Sequence, residues 1–115
     1  MTFDVEIVLR ERNYAVTEHL QYGTDARAWT DSDVELILKQ ILLAIDRVKN
    51  PETLDRHVAL RGFSWIVEPT DEGVVIAIEI PMGAAVAGPF EIEQPRLDAM
   101  ISRVLASARP KAVVH

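Results

Sequence analysis

The stretch WTDSDVELILKQILLAIDRVKN, residues 29–50, carries a start signal, a periodic body and a stop signal that agree, and it reads as one long helix. Thr30 is placed to cap the first free backbone N–H groups, with Asp33 three residues on as an acidic form of the capping box. Trp29, just before the cap, is spaced to pack on Val34 as a hydrophobic staple. Asp31, Asp33 and Glu35 put negative charge at the positive end of the helix dipole, and Arg47 and Lys49 put positive charge at the other. Asn50-Pro51 then ends the run. At about 100 degrees per residue, Val34, Ile37, Leu38, Ile41, Leu42, Ala44, Ile45 and Val48 share one broad face, which is expected to be core. Leu36 and Leu43 fall on the other side, one heptad apart, as a second and narrower apolar stripe.

Upstream, Phe3, Val5, Ile7 and Leu9 alternate with Asp4, Glu6, Val8 and Arg10, the period-2 pattern of a half-buried strand. Glu11, Arg12 and Asn13 mark a turn. For residues 14–22 a helix would gather Val16 and Leu20 but leave Tyr14 outside, and a second strand in a hairpin with the first is favoured, since Tyr14, Val16, Leu20 and Tyr22 share parity. Glu18 has the same parity and is expected near an edge or bulge where its charge reaches water.

Downstream of the helix, Val58 to Glu68 reads as a strand whose parity changes at Gly62, where a β-bulge would bring Phe63, Trp65 and Val67 onto the face of Val58 and Leu60. The sequence PTDEG, residues 69–73, is a turn. Val74 to Ile80 follows as a strand apolar on both faces, with Val75 and Ala77 pointing away from the core. Residues 82–88 are read as a small-residue connection, Pro89 to Glu93 as a short edge strand, and the run from Pro95 as a last helix with Leu97, Met100, Ile101, Val104 and Leu105 on one stripe. The order is therefore ββαββα, and each helix has one apolar face that needs a flat partner. An α+β two-layer sandwich follows, with a mostly antiparallel sheet of four to five strands and both helices on one face. Residues 1–110 make a single domain of this kind, and 111–115 a frayed tail.

Such an arrangement leaves one sheet face uncovered, and Val8, Val75, Ala77 and Ile66 would lie there, apolar for a surface in water. With Leu36 and Leu43 they form a candidate interface for a homodimer, another homo-oligomer or a protein partner. The net charge of -6, from 18 acidic and 12 scattered basic residues, argues against nucleic acid and anionic membranes as partners. No cysteine is present, so disulfides, thiolate metal sites and thiol nucleophiles are excluded. The acidic N-terminus does not resemble a signal peptide and no run approaches the roughly 20 apolar residues of a membrane span, which makes the cytoplasm the expected compartment.

Chemistry-bearing motifs are few. Gly83 and Gly88 match the glycines of a phosphate loop, but Pro89 stands where the lysine belongs and Phe90 where the magnesium-binding hydroxyl belongs. His19, His57 and His115 have no metal-ligand spacing, and no serine sits in a nucleophile elbow. Glu91 and Glu93 with Glu68 or Glu79 are best explained as solvated charge guarding an edge. No catalytic set, cofactor or metal site is expected. The alternative to a contact protein is a ligand-binding protein or weak enzyme, its pocket closed by the Gly83 to Gly88 segment and lined by His57, Arg61 and Glu79.

Overall fold

Alternating apolar residues form strands where each can bury one side, and here five of them do so. In the computed structural model, which describes residues 1–53 and 56–108, the strands are β1 (Thr2–Leu9), β2 (Ala15–Gln21), β3 (Ser64–Thr70), β4 (Gly73–Ile80) and β5 (Gly83–Phe90). The helices are α1 (Asp31–Lys49) and α2 (Gln94–Ala108), with a short 3-10 turn at Ala26–Ala28. The strands form one antiparallel sheet in the order β2-β1-β5-β4-β3. Both helices cover the same face, α1 against β1 and β5 and α2 against β3 and α1. The expected α+β sandwich is therefore present, with five as its strand number.

The period-2 reading of the N-terminus holds residue by residue: Phe3, Val5, Ile7 and Leu9 are buried, and Asp4, Glu6 and Val8 are exposed. Residues 15–21 are a strand, as favoured, and β2 is a sheet edge. Its pairing with β1 runs without interruption, so no bulge relieves Glu18. Instead Glu18 points to the helix side and accepts two hydrogen bonds from the Arg47 guanidinium, at 3.2 and 3.3 Å. A carboxylate on the covered face is tolerated because a planar cation from α1 reaches it.

α1 begins and ends as its sequence implies. The Thr30 backbone N–H and hydroxyl both donate to Asp33 Oδ2, at 2.8 and 3.0 Å, and Asn50 closes the last turn on the Asp46 carbonyl. Trp29 is buried with Val34, and its indole N–H donates to the Thr24 carbonyl at 2.9 Å. The Trp29 ring lies 5.0 Å from Phe90, which lies 5.2 Å from Phe3. That aromatic row fastens the start of α1 to the end of β5 and the start of β1. Arg96 of α2 donates to the carbonyls of Arg27 and Trp29, and Arg103 grips Asp31 through two 2.9 Å hydrogen bonds, so α2 holds the same corner.

Two expectations are corrected. Val58 to Phe63 is not strand: β3 starts at Ser64, and Gly62 has a φ of 79° in the bend that leads into it. Leu60, Phe63 and Trp65 still pack on or in the core, because the bend achieves what the expected bulge would have done. The sheet's irregularity lies elsewhere, between Val74 and Ile76 where β4 meets β5. The larger correction concerns residues 82–93. Gly83 to Phe90 is neither a connection with an edge strand after it nor a flap, but the central strand, reached from β4 by a tight turn at Pro81 and Met82. A Cβ at Gly83 would stand 2.2 Å from the Val8 carbonyl oxygen, so only glycine fits that crossing. Ala85 and Ala87 are buried on the helix side, where small side chains let α1 approach the sheet. The tail expected at 111–115 lies outside the described residues, as does His115.

Gly83→Ala is expected to lower the unfolding free energy by about 2–3 kcal/mol, because β1 and β5 must separate to admit the methyl group. Urea denaturation checks it. A second expectation concerns Asp33, which also accepts the Tyr22 hydroxyl at 2.6 Å. The Tyr22 hydroxyl and then the Thr30 N–H hold the Asp33 carboxyl below its usual range. Burial, and then Asp33, push the Tyr22 hydroxyl up to about 12. Since Asp33 favours protons less in the folded chain, its contribution is full above about pH 4 and is lost as pH falls through the lowered value. Tyr22 works in the opposite sense: its contribution is full below about pH 10 and fades as pH rises. Tyr22→Phe should therefore cost about 1 kcal/mol at neutral pH, and urea melts should show that gap closing toward acid and again toward strong alkali.

Candidate interaction surface

The face of the sheet turned away from the helices is defined by strand parity and register. Across its middle runs the row Thr17, Glu6, Val86, Ala77 and Ile66, one residue from each strand and each hydrogen-bonded neighbour opposite the next. The adjoining row on one side is Ala15, Val8, Ala84, Glu79 and Ser64. On the other side, His19, Asp4 and Gly88 align across β2, β1 and β5, and Val75 and Glu68 across β4 and β3. Val8, Ala84, Val86, Ala77, Val75 and Ile66 consequently form one apolar diagonal from β1 to β3.

Nothing among the described residues covers that diagonal. Val8 is 45% exposed, Val86 44% and Ile66 52%, and a shallow groove of about 300 Å³ runs between Ile66, Ala77, Ala84 and Val86 with Glu79 at its rim. Single exposed aliphatic residues are ordinary, whereas contiguous ones on a flat sheet mark a contact surface. Of the six residues named from sequence for an interface, Val8, Ile66, Val75 and Ala77 lie in this patch, the last two half-buried by their strand neighbours. Leu36 is 49% exposed on α1, on the opposite side of the sandwich, and Leu43 is half-buried there. The sheet residues and the two leucines therefore belong to separate surfaces. Ala84 and Val86 were missing from the sequence-based set because their segment read as a connection. The alternation of Ala84 and Val86 with Ala85 and Ala87 was the available signal, muted by small side chains.

The residues suggested for a ligand pocket do not gather into one. Glu79 lines the groove above, and also a neighbouring open cleft of about 440 Å³ with Arg10, Phe63, Ser64 and Ile80. His57 and Arg61 are exposed and line neither. The Gly83 to Gly88 segment, held by β1 on one side and β4 on the other, has no freedom to close over a pocket. Among the described residues no cluster of His, Asp and Glu is arranged to hold a metal ion, and no helix is long and apolar enough to cross a membrane. Compared with protein-family models, curated proteins and solved structures, the chain shows no match.

Charge is distributed in a particular way around the patch. Asp4 and Glu6 flank the diagonal on β1, Glu79 flanks it on the other side, and Glu68 stands beside its end at Ile66. Asp4 pairs with His19 at 2.5 Å, while no ion pair with a described residue engages Glu6, Glu68 or Glu79. Replacing Ile66 and Val86 by Ser together should leave the unfolding free energy within about 1 kcal/mol, as for substitutions that touch solvent rather than core. Thermal melts followed by circular dichroism check that the patch is not there for stability.

Proposed function

We propose that this chain acts through protein–protein contact, as a homodimer or as a small subunit of a larger assembly, with the open sheet face as its interface. The contiguous exposed diagonal of Val8, Val86 and Ile66 carries this reading. An antiparallel sheet covered on one face commonly turns polar residues to water on the other, so contiguous aliphatic residues there favour a neighbour. The acidic residues around the patch repel polyanions, which fits a protein partner rather than nucleic acid or an anionic bilayer. A chain without cysteine suits the reducing cytoplasm. Leu36 on α1 would be a second, smaller contact in an assembly.

The test is the mass of the native particle. Sedimentation of the purified chain and of extract from its own host should show it, in one or both, well above the monomer mass of 12.9 kDa. Ile66→Ser with Val86→Ser should return it to the monomer mass while the circular dichroism spectrum stays that of the folded chain. A monomer in both settings, unchanged by the substitutions, would overturn the proposal.

A further inference from the structure

Among the described residues the five strands contain no Lys or Arg; each described cation lies on a helix or in a connecting segment. The strands do carry carboxylates, and these fall into two groups. Glu18, on the covered face, is matched by Arg47 from α1. Asp4, Glu6, Glu68 and Glu79 are on the open face, where the strands offer only the His19 ring, beside Asp4, as a hydrogen-bonding partner. Arg10 lies just past the end of β1, at the margin, sharing a cleft with Glu79. The covered face thus shows how this fold satisfies a strand carboxylate: a helix lies over it and brings the guanidinium.

We infer that the open face receives a basic amphipathic helix of another protein, its apolar stripe along the diagonal and its Lys or Arg side chains on Asp4 and Glu6 to one side, Glu79 to the other and Glu68 at the end beside Ile66. The inference rests on the interface reading above and narrows it. A second copy of the same face is the weaker occupant, since twofold docking would press carboxylates against carboxylates or against aliphatic groups, with no strand cation to relieve them. Dimensions agree with one helix. The diagonal crosses from β1 to β3, about 14 Å at the usual strand spacing, which a helix laid along it covers in roughly ten residues. Glu6 adjoins Val86 and Glu79 adjoins Ala77 and Ala84, so both flanks lie within reach of the long cationic side chains of a helix resting on those residues.

The probe is an 18-residue peptide with leucines on one helical face and lysines on the rest, titrated into the full chain at physiological salt and followed by methyl NMR. Two control peptides replace all lysines by Glu or all leucines by Ser. The Leu/Lys peptide should perturb the methyls of Val8, Ile66 and Val86, and both controls should bind at least tenfold more weakly. Glu6→Gln, Glu68→Gln and Glu79→Gln together should weaken binding at least tenfold. Glu11→Gln, Glu52→Gln and Asp98→Asn, which change net charge equally at exposed sites off the face, should weaken it less than threefold. Equal binding of the Glu peptide, equal effects of the two triple variants, or perturbations centred on the helices would overturn the inference. So would a wild-type dimer converted to monomer by Ile66→Ser and Val86→Ser, an outcome that leaves the interface reading intact.

Discussion

The backbone pairing of β5 on both of its sides is the constraint from which the rest of the molecule follows. β1 with β2, and β3 with β4, are separate hairpins, and only β5 joins them into one sheet. To lie between them it must pass the β1 backbone closely at Gly83 and the β4 backbone closely at Gly88, and it must accept α1 above Ala85 and Ala87. Side chains of ordinary size would push these layers apart. Phe90, at the far end, is the one large group in the strand, and its place between Phe3 and Trp29 aligns the sheet with the start of α1.

The same constraint explains which parts of the fold were legible in the sequence. α1 announced itself because cap, staple, stripe and stop are local signals: Thr30 is joined to Asp33, Trp29 and Val34 are both buried, the stripe faces the core and Asn50 ends the helix. β1 and β4 were legible because their alternation uses large aliphatic side chains, and β2 because its parity outweighed one charge. β5 was hidden because its Gly and Ala residues answer to neighbours on three sides, and their low intrinsic strand preference reads as a connector when the neighbours are unknown. Glu18 shows the other limit. Its strand parity was correct, but its partner Arg47 lies 29 positions away in sequence, so only the folded chain identifies it. The interface was partly legible for the same reason: Val8, Ile66, Val75 and Ala77 could be read from strand parity, whereas Ala84 and Val86 disappeared with β5.

The segregation of charge gives the open face its character. Cations confined to helices and connections secure the corners of the sandwich, as in Arg103 on Asp31, Arg56 on Asp46 and Arg96 on the backbone carbonyls beside Trp29. The strands retain only carboxylates, so the surface left bare by the helices is apolar along its diagonal and negative at its edges. Such a surface repels polyanions, and burial of its aliphatic centre would be favoured by positive charge brought to its edges.

Everything said of function requires that the aliphatic diagonal face water in the isolated chain. Methyl relaxation of the purified full-length protein in the presence of an inert paramagnetic co-solute measures that exposure directly. Strong relaxation enhancement at Val8, Ile66 and Val86, with little at Val5, Ile7, Ile76 and Ile78, is the expected outcome. Methyls of the first group as protected as those of the second, in a protein shown to be monomeric, would mean that the chain already covers its own sheet and would contradict the account.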